Sequence, residues 1–345
     1  MRTVAMVESP TQLLNVVEWA SQAQVDPQSI TVLVLAPTDE RSRLQLRSMV
    51  ALTRANGICV TWHEPRHSGT SLTDAVRSLG GALTGVQRLV IGDPFSGVMQ
   101  VVLSICTAPE VVIVDDGTAT MEFARQWMAG ERLARWHQAA QPGHAQQIAR
   151  YARGQIAASV RRRIGPGSGC RLSVFTCLPV QLGHIPILRN TYAWTRARFR
   201  APRLKPAADL IGTSLVETGV VELDAYVHGV ATLAAEHGIK RYFAHRKEAG
   251  AKLNQIAGLG LEIARPDLPL EIAARTDLIG PRVISFPSTL VHTLPQVLAD
   301  TCVELLVCDI AGDWLTPRAA PRSGQFLQSV TSTARQRYGL TAVAC

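Results

Sequence analysis

The fold is decided by a stretch in which a β-branched apolar run passes directly into two acids and a glycine, Val111-Val112-Ile113-Val114-Asp115-Asp116-Gly117. The apolar run is typical of a buried strand, and glycine after two acids is typical of a turn. The acid pair is therefore expected where the chain leaves the C-terminal end of a strand. In open α/β sheets, this is the edge at which ligands bind.

Two later stretches repeat the arrangement. The strand-like run Arg241–Ala244 leads into His245, and the strand-like run Val283–Phe286 leads into Ser288 and Thr289. A carboxylate pair, a histidine and a hydroxyl cluster at strand ends are the groups needed to deprotonate an alcohol and to receive a phosphate leaving group. The three stretches together indicate a transferase that uses a nucleotide-activated donor.

Apolar runs alternate with amphipathic segments on both sides of a basic, proline-containing stretch, a pattern typical of βαβ units with parallel sheets. We expect an α/β protein of two Rossmann-like domains that face each other across a cleft. The predicted strands are Thr3–Val7, Ile30–Leu35, Ile58–Trp62, Arg88–Ile91, Val111–Val114 and Arg171–Cys177, then Leu210–Leu215, Arg241–Ala244, Leu261–Ile263, Val283–Phe286 and Glu304–Val307.

The composition shifts place the domain boundaries. We expect a first domain over residues 1–188, a linker over 189–209, a nucleotide-sugar-binding domain over 210–322, and a tail over 323–345 that packs back on the first domain. Residues 121–163 are predicted to be helical and poor in strands. The first domain would carry the general base and the acceptor side.

The composition places the chain among foldable globular proteins, since 47% of its 345 residues are hydrophobic and 18% are charged. No apolar run is long enough to predict a transmembrane helix. Residues 1–7 are interpreted as a first strand and not as a signal peptide. Seven cysteines without a CxxC spacing favour a reduced compartment over a zinc site, so we expect a cytoplasmic protein.

The net charge of +8 is concentrated in two basic clusters, Arg161–Arg163 and Arg189–Lys205. These clusters are either solvated faces or contacts to an anionic partner, such as the inner face of the cell membrane or an acidic glycolipid. Nucleic acid is the least favoured partner, because no aromatic residues alternate with the arginines to stack on bases.

Each motif also has a structural interpretation. Asp115 or Asp116 could be a general base or a helix N-cap, and His245 with Arg246 could bind a phosphate or form local turn hydrogen bonds. Ser285, Ser288 and Thr289 stand where a strand passes into a helix, and such a helix start can bind an anion or be capped by Ser288.

Three further polar residues are weaker candidates for the site. Glu271 could accept hydrogen bonds from ribose hydroxyls, or it could be an ordinary acid in the first turn of a helix. Ser9 and Gln12 follow the first strand and could contact a ligand across the cleft, although helix capping and surface solvation explain them equally well.

Taken in order, the motifs resemble those of bacterial sialyltransferases of the lipooligosaccharide and α-2,8-polysialyltransferase type. The resemblance covers roughly residues 1–310. It is carried by Ser9–Asn15, Asp115–Gly117, Ile211–Gly219 with its continuation to Tyr226, the segment around His245, Pro269–Glu271 and Ser288–Thr289.

This resemblance implies a GT-B fold, a CMP-activated nonulosonic acid donor such as CMP-sialic acid, and inverting transfer to a glycan or glycolipid that requires no metal or other cofactor. It implies that Asp115 is the base, with Asp116 and Gly117 beside it, that His245 is the acid, and that Ser288 and Thr289 bind phosphate. Arg246 stands where the family usually has proline, which leaves the transferred sugar open. A GT-B transferase with another nucleotide sugar and a catalytically silent binding subunit are the alternatives.

Overall fold

Each half of the chain is built around a parallel sheet whose first strand lies in the interior of the sheet. The computed structural model describes residues 1–65, 72–134, 144–317, 319 and 321–344. The chain divides into two units, Met1–Asn190 and Thr191–Cys345. Two Rossmann-like domains, as predicted, are therefore confirmed.

The first unit alternates strands and helices almost throughout. Its elements are β1 (Thr3–Val7), α1 (Pro10–Gln22), β2 (Ile30–Leu35), α2 (Glu40–Ala55), β3 (Cys59–His63), α3 (Leu72–Leu83), β4 (Arg88–Ile91), α4 (Gly97–Ile105), β5 (Glu110–Val114), α5 (Thr118–Met128), α6 (His144–Ile164), β6 (Arg171–Thr176) and β7 (Ile187–Arg189).

The strand order in the first sheet is β3-β2-β1-β4-β5-β6-β7, and the strands pair in parallel. Val111–Val114 are buried because helices cover both faces of a parallel sheet, which explains the unbroken apolar run. The direction of strand order reverses between β1 and β4. Loops on either side of such a reversal leave the sheet in opposite directions and open a crevice for ligands.

The second unit has the same plan with shorter strands. Its elements are α7 (Ala193–Arg198), β8 (Arg203–Leu204), β9 (Ala208–Ile211), α8 (Leu223–His237), β10 (Ile239–Phe243), α9 (Gly250–Gly258), β11 (Glu262–Ala264), α10 (Leu270–Thr276), β12 (Leu278–Ile279), β13 (Arg282–Ser285), α11 (Leu290–Val297), β14 (Glu304–Cys308), α12 (Pro321–Tyr338) and β15 (Thr341–Val343).

The strand order in the second sheet is β11-β10-β9-β13-β14-β15, again with parallel pairing. Here the order reverses between β9 and β13. A separate two-stranded parallel ribbon pairs β8 with β12. The core beneath this sheet includes an aromatic group in which Tyr226 lies 4.9 Å from Phe286 and 6.4 Å from Trp314, measured between ring centroids.

The expected linker contains regular structure. Residues 189–209 include the end of β7, all of α7 and β8, and the start of β9. Arg196 of α7 donates to the backbone oxygens of Thr191 and Gln296, and the latter bond fixes α7 to the end of α11. Lys205 forms an ion pair with the buried carboxylate of Asp209, 2.8 Å away.

The tail also contributes to the second unit. Thr331 and Arg335 of α12 each donate to the carboxylate of Asp309, at 2.5 Å, and Asp309 directly follows β14. The edge strand β15 then pairs with β14.

The predicted strand Arg171–Cys177 is β6, and β7 pairs along its outer side. The region predicted to be helical over 121–163 contains most of α5 and α6, and residues 135–143 lie outside the described residues. Among the helices that the structure describes, none combines the length and apolar character that a membrane span needs.

A glycine in α8 gives a direct test of the packing beneath the second sheet. A Cβ added at Gly229 would lie 1.9 Å from the indole of Trp314. We therefore expect Gly229→Ala to lower the free energy of unfolding by about 1–3 kcal/mol, despite the better helix propensity of alanine. Urea denaturation followed by circular dichroism measures this change.

Gly80 in α3 is the matched control, because outside its own helical backbone no atom lies within 4 Å of a Cβ added there. Gly80→Ala is expected to raise the free energy of unfolding by about 0.5–1 kcal/mol. A Gly229→Ala protein as stable as the wild type would contradict the described packing of α8 on Trp314.

Candidate functional site

Four neighbouring strands of the first sheet end in polar residues at the same edge. Glu8 follows β1, Asp93 follows β4, Asp115 follows β5, and Thr176 is the last residue of β6. The acid pair lies one strand away from the point where the strand order reverses. The structure thus brings the predicted Asp115 and Asp116 to the edge where ligands bind in this type of sheet.

The carboxylate of Asp115 is buried and held at both oxygens. Oδ2 accepts a hydrogen bond from the Thr176 hydroxyl at 2.6 Å, and Oδ1 accepts one from the backbone N–H of Gly117 at 2.9 Å. The thiol of Cys177 lies 3.8 Å from Oδ2. Since only 3% of Asp115 is exposed, burial raises the pKa of this carboxyl, and the hydrogen bonds oppose that rise.

A backbone hydrogen bond fixes the direction in which the Thr176 hydroxyl donates. Its oxygen accepts a hydrogen bond from the backbone N–H of Leu178 at 2.9 Å, so its proton is left to point at Asp115. A donor oriented in this way favours the ionised carboxylate. Thr176 therefore orients Asp115 and limits the rise in its pKa that burial causes.

A buried pair of amides fixes the backbone at the same place. Asn15 of α1 donates from Nδ2 to the backbone oxygen of Asp115 at 3.0 Å and accepts from Nδ2 of Asn190 at 2.8 Å. Both asparagines are buried. They connect the end of β7 through α1 to the turn after β5, so this turn is braced by residues distant in sequence.

Asp116 is less buried than Asp115. Its backbone N–H donates to Thr120 Oγ1 at 2.9 Å, and the Ser9 hydroxyl lies 3.4 Å from its Oδ1. The next residue, Gly117, has a φ of 66°, in the left-handed region that favours glycine. The sharp turn before α5 therefore separates the two acids, with one carboxylate directed inward and the other partly open.

Ser9 and Gln12 have structural partners at this edge. Ser9 caps α1 by accepting the backbone N–H of Gln12 at 3.2 Å, and Gln12 Oε1 accepts the backbone N–H of Glu8 at 2.7 Å. A Cβ at Gly92 would lie 2.2 Å from the Gln12 side chain, so the Gln12 side chain occupies space that any residue other than glycine at position 92 would fill. Ser9 consequently lies against Asp116, whereas the buried Gln12 side chain lies against Glu8 and Gly92.

The second sheet places His245 on a tight turn after β10. The backbone N–H of Glu248 donates to the His245 oxygen at 3.0 Å, and the Lys247 N–H donates to His245 Nδ1 at 3.2 Å. Because Nδ1 accepts a hydrogen bond, the neutral ring carries its proton on Nε2. Nε2–H is therefore the donor that His245 can offer a ligand.

Burial is the largest cause that lowers the pKa of His245 to about 3, and the positive charges of Arg246, Lys247 and Lys252 add to it. The imidazole is consequently neutral at physiological pH. An anion bound beside these cations would offset their charge and raise the pKa again. Without a ligand, neutral His245 can therefore act only as a hydrogen-bond donor. It can act as an acid once a bound anion has raised its pKa.

The turn is anchored to a buried ionic network. Glu248 accepts from the backbone N–H of His245 at 2.5 Å and from the Tyr242 hydroxyl at 2.5 Å, and it forms an ion pair with Lys252 at 2.6 Å. The hydroxyl of Tyr226 lies 2.6 Å from that of Tyr242. Buried ion pairs of this kind hold geometry at a cost in desolvation. Here the Glu248–Lys252 ion pair fixes the position of His245, because Glu248 also accepts from its backbone N–H.

The predicted hydroxyl motif lies at the end of β13. Ser288 accepts from the backbone N–H of Leu290 at 3.3 Å, and the Ser285 and Ser288 hydroxyls are 3.5 Å apart. Thr289 precedes α11 and makes no side-chain cap hydrogen bond. β9 lies between β10 and β13, so the strand ends that carry His245 and Ser285 are roughly 10 Å apart.

Glu271 lies in the first turn of α10 and is buried. It accepts a hydrogen bond from Thr293 of α11 at 3.1 Å, so the structure brings it to the helix that follows the hydroxyl motif. Among the described residues, no group of three or more His, Cys, Asp or Glu side chains is placed to hold a metal ion.

Four residues of the site were not predicted from the sequence: Thr176, Asn190, Glu248 and Lys252. Thr176 had a detectable signal, since it is a polar residue near the end of an apolar run. Glu248 and Lys252 stand four residues apart, the spacing of a helical ion pair, but the pattern does not show that the pair is buried beneath the histidine turn.

No protein-family model matches the chain, and no curated protein does so. Among solved structures, the chain is similar to an alpha/beta-galactoside alpha-2,3-sialyltransferase from Photobacterium phosphoreum, a luminous marine bacterium, with a TM-score of 0.53, 12% identity, and coverage of 99% of this chain and 98% of that chain. It is also similar to a putative UDP-N-acetylglucosamine 2-epimerase from Listeria monocytogenes, with a TM-score of 0.51, 10% identity, and coverage of 89% and 78%. At these identities the likeness shows the fold, and the expected GT-B class of fold is confirmed.

Removal of the Thr176 hydroxyl tests the description of Asp115. We expect Thr176→Val to raise the pKa of Asp115 further, because the variant loses a hydrogen bond to the charged form. Titration of the Asp115 carboxyl carbon by NMR measures the shift.

Thr53→Val is the control, because Thr53 is equally buried but donates to the backbone oxygen of Met49 in α2. The pKa of Asp115 should be unchanged in that variant. An unchanged or lower pKa in Thr176→Val would show that Thr176 does not stabilise the ionised form.

Proposed function

We propose that this protein is an inverting, metal-independent glycosyltransferase that moves sialic acid or a related nonulosonic acid from a CMP-activated donor to a hydroxyl of a glycan or glycolipid. One observation carries the proposal. In each Rossmann-like unit, the motif residues stand at the carboxyl edge of the sheet, no more than one strand away from the reversal of strand order at which such sheets bind ligands. The first unit offers carboxylates there, and the second offers a histidine, cations and hydroxyls.

In the proposed reaction, the acceptor hydroxyl attacks the anomeric carbon of the donor while the bond from that carbon to the phosphate oxygen breaks. The hydroxyl proton passes to Asp115, whose buried carboxyl has a raised pKa and so is a stronger base than an exposed aspartate. Asp116 and Ser9 orient the acceptor beside it, with Gly117 shaping the turn. CMP leaves with the electron pair.

On the donor side, Nε2–H of His245 donates to a phosphate oxygen, and Arg246 supplies positive charge. The phosphate raises the pKa of His245, which can then protonate the leaving phosphate. Ser285, Ser288 and Thr289 supply hydroxyl donors at the start of α11, and Glu271 accepts from the ribose hydroxyls. Fixed donors of this kind stabilise the charge that develops as the nucleotide departs.

Another nucleotide sugar is the main alternative. The similar fold of a protein described as a putative UDP-N-acetylglucosamine 2-epimerase favours a UDP-linked ligand as that alternative. A catalytically silent binding subunit is the other alternative, and the described donors and acceptors at both sheet edges speak against it.

Amide and alanine variants test the assigned roles. With CMP-sialic acid and a panel of glycan acceptors, Asp115→Asn and His245→Ala should each lose about 10²–10⁴-fold in kcat, since each removes one proton-transfer group. CMP release measures turnover, and circular dichroism verifies that each variant remains folded. Turnover of the wild-type enzyme should persist in EDTA.

Asp224→Asn is the control, because Asp224 is an exposed acid in the first turn of α8 and should leave kcat unchanged. A larger loss in Asp116→Asn than in Asp115→Asn would move the base to Asp116. Transfer at the wild-type rate by Asp115→Asn or His245→Ala would refute the role given to that residue.

A further inference from the structure

The arginine cluster of α6 lies between the C-terminal ends of two neighbouring helices. Arg163 donates from Nε to the backbone oxygen of Cys106, just beyond α4, at 2.9 Å. Arg161 donates to the backbone oxygen of Trp127, near the end of α5, at 3.2 Å, and its guanidinium lies 4.8 Å from the Trp127 ring centroid. Two of the three arginines thus cap helix ends, where cations are favoured.

Apolar side chains are exposed at these same two helix ends. Ile105 is the last residue of α4 and is 59% exposed, and Met128 is the last residue of α5 and is 55% exposed. Among the large apolar side chains that the structure describes, only the N-terminal Met1, at 57%, has a similar exposure. Each lies next to a residue whose backbone oxygen is held by an arginine of α6.

A basic depression lies at the C-terminal end of α6. It has a volume of about 530 Å³, and its lining includes Arg132, Arg161, Arg162 and the turn over residues 165–168. Arg132 and Arg162 are exposed. The neighbouring Glu131 shares Arg125 with Glu122, at 2.7 and 2.8 Å, so this group carries one net negative charge against the three positive charges of Arg132, Arg161 and Arg162.

We propose that this surface, formed by Ile105, Met128, Arg132, Arg161 and Arg162, docks on an anionic lipid bilayer. It is called the α6 face below. Guanidinium groups there would contact lipid phosphates, while the apolar side chains enter the boundary between headgroups and acyl chains. A solvated basic surface or a binding site for a soluble polyanion gains nothing from two exposed apolar side chains. Their position among the arginines is what favours a bilayer.

The second basic cluster is a weaker candidate for the same role. Lys205 is paired with Asp209, and the apolar side chains beside this cluster, Leu188 and Leu204, are 38% and 43% exposed, less than Ile105 and Met128. Arg198 and Arg200 are exposed, which makes them a matched set for a control. Reversal of both charges there alters the net charge as much as reversal at Arg132 and Arg162.

Vesicle flotation with the full chain tests the proposal without any assay of transfer. We expect the protein to bind phosphatidylcholine vesicles that contain phosphatidylglycerol and not vesicles of phosphatidylcholine alone. Arg132→Glu with Arg162→Glu should lower partitioning on the order of 30-fold or more, from about 1 kcal/mol for each arginine near the surface. Ile105→Ser with Met128→Ser should lower it about tenfold.

Two double variants control for net charge and for general hydrophobicity. Arg198→Glu with Arg200→Glu, and Leu44→Ser with Leu259→Ser, should keep most of the binding. Equal loss from the Arg198 and Arg200 reversals would show that total charge is responsible, and it would overturn the α6 face. Full binding after the Ile105 and Met128 substitutions would indicate a site for polyanions, and failure to bind anionic vesicles would overturn the proposal outright.

Discussion

Burial of parallel strands on both faces is the constraint on which the rest of this structure depends. A strand covered by helices on each side can carry almost no polar residues, so the polar groups collect where the strands end. Val111–Val114 are buried, and the next two residues are acids. The same change from apolar to polar occurs after β10 and at the end of β13. The apolar runs that build the sheets thus also determine where chemistry can take place.

The two sheet edges place ionisable groups in similar surroundings. Burial favours the neutral form of both Asp115 and His245, which raises the pKa of the carboxyl and lowers that of the imidazole. A neighbouring residue fixes the orientation of each group: Thr176 donates to the Asp115 carboxylate, and Glu248 accepts from the backbone N–H of His245. Rigid orientation of a partly desolvated group costs stability, and such groups are common at functional sites. Asp115 and His245 therefore each have the surroundings of a functional group, at the carboxyl edges of the first and second sheets.

The sequence predicted the interior strands well, and several bounds agree with the structure, including those of Thr3–Val7 and Arg88–Ile91. The short strands β7, β8, β12 and β15 went unpredicted, because two or three residues are too few to show a periodic pattern. For the site, the sequence predicted which residues stand at strand ends but not which of them contact one another. The contact of Thr176 with Asp115 joins residues 61 positions apart, and no local pattern contains it.

Titration of His245 in the presence of nucleotides would decide whether the turn after β10 binds the phosphate of CMP, as proposed. NMR of the imidazole nitrogens would follow its pKa without ligand, with CMP and with UMP. We expect CMP to bind more tightly than UMP and to raise the pKa of His245 from about 3 towards its ordinary value, because the proposed donor site has the phosphate beside Nε2. Equal binding of UMP, or a pKa that CMP leaves unchanged, would contradict the proposal.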